Sequence, residues 1–138
     1  MAKPGLLVDS GALIALANRR ETANPAVNRV LGVFFGELVT TWPAVTEACH
    51  MIPEHLAPVL LAWLGGSRWR VLGMDGAALR VSDLMRKYAD RPMQIADASM
   101  IWAAEHTGLH QIITLDRADF EIYRTKTGKR LEILPQPD

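Results

Sequence analysis

Apolar residues in this chain fall in short runs separated by longer stretches of helical spacing. The first run, Leu6 to Val8, closes on a carboxylate at Asp9. A short aliphatic run that breaks this sharply reads as a buried parallel strand, placed here over Leu6–Asp9. Ser10 and Gly11 can then start a helix over about Ser10–Asn18, built on Ala12 to Ala17. Polar residues 19–24 make a loop. Pro25 suits the first turn of a second helix, with Val27, Val30, Leu31, Phe34 and Phe35 near the 3.6 period and Gly36 at its end.

The alternation then repeats. Glu37–Thr41 is a second strand, and a helix follows over Ala44–Ile52 until Pro53 breaks it. Residues 54–64 predict another helix with Leu56, Leu60, Leu61 and Leu64 on one face, stopped by Gly65-Gly66. Trp69–Leu72 is a third strand. Asp75 is expected to cap the next helix, with Ala78, Leu79, Val81, Leu84 and Met85 turned inward. After Arg91-Pro92, a long helix runs from Met93 to Thr107, with Gly108 past its end. Gln111–Thr114 is a fourth strand, residues 115–120 a turn, and Leu131–Leu134 a last strand. Strands alternating with helices predict a three-layer α/β/α sandwich with a mainly parallel sheet.

Composition narrows the class. A length of 138 residues fits one domain spanning the chain, and 49% hydrophobic content supplies a core without staples. Cys49 is the only cysteine, which excludes a disulfide framework and a cysteine zinc site. Formal net charge is zero, so no global basic field announces a nucleic-acid partner, although charge can be local. No apolar run reaches the length of a membrane span or a signal peptide, and a cytoplasmic location is expected.

Four carboxylates stand out by position. Asp9 ends the first strand, Glu47 lies early in the helix after the second, Asp97 lies near the start of the long helix, and Asp116 follows the fourth strand. Strand carboxyl ends and the N-termini of the following helices share one edge of a parallel sheet. Ligands of open α/β sheets bind there. Each acid also has an ordinary use, as a cap, a helix-dipole partner or a turn residue. Asp97 is the most telling, because its neighbours are mostly apolar and a buried charge needs a partner or a metal. Converged carboxylates repel, and a hard divalent ion offsets that repulsion; Mg²⁺ or Mn²⁺ can activate water and neutralise a phosphodiester. Ser10 and Thr114 can support a carboxylate. Asp119 is a secondary ligand candidate, and Arg117 can meet a phosphate.

The set Leu7-Val8-Asp9-Ser10, Thr46-Glu47, Ala96-Asp97-Ala98-Ser99, Thr114-Leu115-Asp116 and Asp119-Phe120 resembles, in order and spacing, the PIN-domain family and within it the VapC-type toxins. The resemblance covers nearly the whole chain. It implies a Mg²⁺- or Mn²⁺-dependent endoribonuclease that leaves 5′-phosphate and 3′-hydroxyl ends. It implies a homodimer held inactive by an antitoxin, which would place a basic residue at the acidic pocket. By the same resemblance, Asp9, Glu47, Asp97 and Asp116 are the catalytic and metal-holding acids. Many relatives carry an acid three positions before the long-helix Asp; here that position is Gln94.

Two further readings use the same pattern. A phosphatase with an aspartyl nucleophile wants a second acid two residues after Asp9, where Gly11 stands. A receiver-like signalling domain wants paired acids after the first strand and an Asp directly after the third. A PIN-like nuclease outside a toxin pair, or a silent metal- or protein-binding PIN domain, is the remaining alternative. For RNA contact, the basic candidates are Arg124, Lys126, Lys129 and Arg130, or Arg86, Lys87 and Arg91; a solvated charged face is the plainer use of either. The histidines form no metal spacing, and the tryptophans are expected in the core or an interface.

Overall fold

Five short strands form the sheet: β1 (Gly5–Val8), β2 (Glu37–Thr41), β3 (Trp69–Leu72), β4 (Gln111–Ile113) and β5 (Glu132–Leu134). Seven α-helices connect them: α1 (Ser10–Ala17), α2 (Asn24–Val33), α3 (Trp42–Met51), α4 (Ala57–Leu64), α5 (Ala78–Lys87), α6 (Ile95–Thr107) and α7 (Arg117–Phe120). This is a computed structural model, and it describes residues 4–136.

The strands pair in the order β3-β2-β1-β4-β5, every pair parallel. β1 lies at the centre, with Leu6 opposite Leu38 on one side and Leu7 opposite Ile112 on the other. Leu6, Leu7, Val8, Leu38, Val39, Ile112 and Ile113 are buried, which is why these strands read as continuous apolar runs rather than alternating ones. Burying each such side chain contributes roughly 1.5–3 kcal/mol. From β1 the chain winds outward through β2 to β3, then crosses back to β4 and β5. Right-handed crossovers therefore put α1–α4 on one face and α5–α6 on the other. The direction of winding reverses between β1 and β4, and a crevice opens outside their carboxyl ends.

Hydroxyls stitch that edge together. Thr40 Oγ1 donates to the Val8 carbonyl at 2.7 Å. Thr41 Oγ1 accepts from Ala44 N–H at 3.2 Å, capping α3, and lies 2.7 Å from Ser99 Oγ on α6. This cap starts α3 at Trp42, two residues before the expected position.

Several expectations need correction. α2 ends at Val33, so Gly36 is not its cap; Gly36 has φ 153° and passes so close to the Pro4 carbonyl that a Cβ would collide with it. The helix expected over residues 54–64 is a 3-10 turn at Glu54–Leu56 and then α4, with Pro58 in its first turn. Only Leu60 and Leu64 are buried on α4, and Leu61 is exposed. Asp75 does not cap α5. The Asp75-Gly76 pair makes a turn with Gly76 at φ 77°, and α5 starts at Ala78 with Ala77 as its N-cap. Leu79 therefore faces outward, 82% exposed, and Ala78 is exposed too. α6 begins at Ile95, because its N-cap, Gln94, is extended at φ −85° and ψ 166° and forms a capping box with Asp97. Gly108, at φ 77°, closes it as expected.

Candidate active site

The crevice beyond β1 and β4 is a pocket of about 490 Å³, lined by Asp9, Ser10, Glu47, Gln94, Asp97, Asp116 and Asp119 with Gly11, Pro92 and Leu115. Five acids face it, and no Lys or Arg is among the lining residues. The four carboxylates predicted from strand and helix ends thus share one cavity, with Asp119 as a fifth.

Asp9 stands at the N-cap position of α1 but does not cap it with its side chain. Its backbone N–H donates to the Ile113 carbonyl at 3.1 Å, which pins it between the two central strands. Only 3% of the residue is exposed. Thr114 Oγ1 donates to Asp9 Oδ2 at 2.8 Å, whereas Oδ1 has no hydrogen-bond partner. Burial raises the Asp9 carboxyl to about 6, opposed by the Thr114 bond and assisted by Glu47 and Asp116. Ordinary capping chemistry therefore does not account for this residue.

The other acids are held by neighbours the sequence placed far away. Ser10 Oγ donates to Glu47 Oε2, tying α1 to α3. Asp97 is half-buried, and burial, then the Asp9 charge, lifts it to about 7. It also has a structural use, since its Oδ2 accepts from Gln94 N–H at 3.4 Å in the first turn of α6. Gln94 thus fills the N-cap position where an additional acid would have deepened the negative charge.

Thr114 Oγ1 also accepts from Asp116 N–H at 3.0 Å, so one hydroxyl holds both acids. Burial, a hydrogen bond with Asp119 and repulsion from it all raise Asp116. Burial opposes ionisation of Asp119, but Arg91 and Asp116 outweigh it and lower its pKa. The bond from Arg91 Nη1 to Asp119 Oδ1 is a contact that strand and turn patterns did not disclose.

Arg117 is a correction. Its guanidinium donates to the Pro135 carbonyl at 2.6 Å and pairs with Glu121 at 3.6 Å, so it anchors the end of β5 and does not line the pocket. Tyr123, singled out by no sequence pattern, is fully buried with an unpartnered hydroxyl. Burial and the charges of Asp97, Asp119 and Asp116 raise its pKa, which puts it behind the same acidic group. Among the tryptophans, Trp102 stacks on His106 with centroids 4.8 Å apart, and Trp42 and Trp63 are half exposed.

The donor set suits a hard divalent cation: oxygen ligands only, mutual repulsion, and one buried carboxylate oxygen without a partner. Among the described residues, no three His, Cys, Asp or Glu side chains already stand in metal-holding geometry. Water would therefore have to complete the coordination, as Mg²⁺ favours.

The parallel sheet and its acidic crevice define a PIN-like α/β/α domain. No protein-family model matches the sequence. Over 135 residues, 94% of this chain and all of the relative, the sequence is 25% identical to Ribonuclease VapC26 of Mycobacterium tuberculosis. The fold superposes with a TM-score of 0.69 on the crystal structure of Mycobacterium tuberculosis VapC20, a sarcin-ricin loop cleaving toxin, at 15% identity over 78% of this chain and 86% of that one. In sequence the chain is thus similar to a VapC ribonuclease, and in fold to a VapC toxin.

Proposed function

We propose that this chain is a divalent-metal-dependent endoribonuclease and the toxin of a toxin–antitoxin pair, with residues 1–138 acting as one PIN-like domain. The observation that carries the reading is Asp9: buried at the reversal point of the sheet, with Oδ1 unpartnered and aimed among other carboxylates. The similarity to a named ribonuclease and a named RNA-cleaving toxin supports the same chemistry.

Asp9, Glu47, Asp97 and Asp116 would hold Mg²⁺ or Mn²⁺. Once bound, the ion would supply a nucleophilic water at neutral pH and neutralise charge on the phosphodiester. The chain's own residues do the positioning. Thr114 orients Asp9 and the backbone of Asp116, Ser10 orients Glu47, and Arg91 restrains Asp119. Gln94 leaves room for a weaker variant of the same site, a domain that binds metal and cleaves slowly.

The partner reading follows from two exposed apolar faces. Trp42, Met51 and Ile95 rim a hollow of about 820 Å³ beside Glu47, a surface suited to a second copy of the chain. Val59, Leu61 and Trp63 on α4 suit an antitoxin segment. No helix among the described residues is long and apolar enough to cross a membrane, consistent with a protein working in the cytoplasm.

The test is cleavage of a structured RNA under Mg²⁺ titration. Activity should rise with Mg²⁺, vanish in excess chelator, and fall at least about 100-fold in Asp9→Asn. Cleavage that persists in chelator or in this variant would overturn the proposal.

A further inference from the structure

The acidic pocket cannot attract RNA through side-chain charge. The two arginines near it are committed, Arg91 to Asp119 and Arg117 to the β5 terminus and Glu121. A polyanion must gain affinity elsewhere on the surface.

A second pocket, of about 830 Å³, lies at the opposite end of α6, beneath the loop that leads to β5. His110, Lys126, Lys129 and Arg130 line it. Its one acid, Glu105, is already spent. Arg80 donates to both carboxylate oxygens at 2.8 and 2.7 Å, and Lys126 N–H donates to Oε2 at 2.8 Å. Burial opposes ionisation of Glu105, but the Arg80 and Lys126 bonds and the charges of both residues outweigh it and lower its pKa, with Arg80 as the main partner. Among the described residues, Lys126, Lys129 and Arg130 make no ion pair.

The loop is also built rather than loose. Thr125 N–H donates to the Lys129 carbonyl at 2.9 Å, and Gly128 N–H donates to the Thr125 carbonyl at 2.9 Å. Gly128 supplies the φ of 81° that this turn needs. The Lys126 bond to Glu105 then fastens the turn to α6. Lys129 and Arg130 are thus carried on a fixed base without an ion-pair partner among the described residues, while Lys126 shares the Glu105 charge with Arg80 at longer range.

We propose that this pocket binds backbone phosphates of the RNA substrate, as an anchoring site remote from the acidic pocket. The proposal rests on the ribonuclease reading for the identity of the polyanion. Asp97 and Gly108 mark the two ends of α6, a separation of about 16 Å at 1.5 Å per residue. That is roughly five nucleotide steps of a helical strand. A stem or a strand of that length reaches both sites, while a di- or trinucleotide reaches one.

The experiment is fluorescence anisotropy of a labelled RNA stem-loop, with the parental chain and with Lys126→Ala/Lys129→Ala/Arg130→Ala, in chelator from 50 to 200 mM salt. Removing three phosphate contacts should reduce the slope of log affinity against log salt by about 2–3. Over that fourfold salt range, the parental chain should lose roughly 20- to 40-fold more affinity than the variant. Lys126→Arg/Lys129→Arg, which keeps the charge, should retain the parental slope. All three residues are exposed, so the thermal melt should be unchanged. Equal slopes in the parental and alanine proteins would overturn the anchoring site. A reduced slope supports it even if the parental protein cleaves nothing, an outcome that would overturn the ribonuclease reading alone.

Discussion

Asp9 should destabilise the metal-free protein at neutral pH, and Asp9→Asn should relieve it. The carboxyl is held at about 6 in the folded chain against 3.8 for the free group. A folded-state pKa above the unfolded one means that the folded chain holds the proton more tightly. The associated stability is complete below 3.8 and is lost as pH rises through about 6. A displacement of about two pKa units amounts to roughly 3 kcal/mol at pH 8. Asparagine keeps an oxygen for the Thr114 hydroxyl and carries no charge. Urea unfolding in chelator should show Asp9→Asn more stable than the parental chain at pH 8 by about 2–3 kcal/mol, and nearly equal to it near pH 3.5. Added Mg²⁺ should raise the parental midpoint and leave the variant where it was. A variant no more stable than the parental chain at pH 8 would refute the argument that burial strains this carboxylate.

Two other substitutions probe the supports. Thr114→Val removes the donor to Asp9 Oδ2 and the acceptor of Asp116 N–H while keeping the shape; it should cost about 1–3 kcal/mol in urea unfolding and raise the Mg²⁺ concentration needed for cleavage. Arg80→Met leaves Glu105 partly buried without its bidentate partner, and should lower stability by about 1–3 kcal/mol and speed amide exchange at Lys126, whose N–H shares that carboxylate.

The sheet could be read from the chain because its central strands β1, β2 and β4 are buried almost throughout, and a strand of that kind leaves an unbroken aliphatic signature such as Leu6-Leu7-Val8, whereas the edge strands β3 and β5 expose Arg70 and Glu132. The acidic cluster could be read because Asp9 and Asp116 follow the ends of β1 and β4 and Asp97 lies in the first turn of α6, positions a parallel sheet gathers at one edge; Glu47, past the first turn of α3, joins them from further along its helix. Side-chain direction was far less legible. Leu79 looked inward on a helical wheel begun at Asp75, yet the Gly76 turn delays α5 and rotates the residue into water. Arg117 follows Asp116 directly, but one residue into α7 its side chain points to the β5 carbonyls instead of the pocket. Arg91 and Asp119 are 28 residues apart, and only the folded chain brings them into contact. The N-cap use of Gln94 depended on where α6 begins, which the Gln94–Asp97 capping box sets two residues later than the apolar pattern suggests.

The placement of β1 has a consequence for synthesis. The first strand of the chain becomes the middle of the sheet, and one of its neighbours, β4, arrives about a hundred residues later. The bond that orients Asp9 comes from Thr114, 105 positions downstream. Such long-range pairing closes late and slowly. A nascent chain with its first hundred residues translated can form β1, β2 and β3 and still lack both Thr114 and Asp116. Assembly of the acidic cluster is thus deferred until residue 116 has been translated, so a product terminated before that point should lack the cluster.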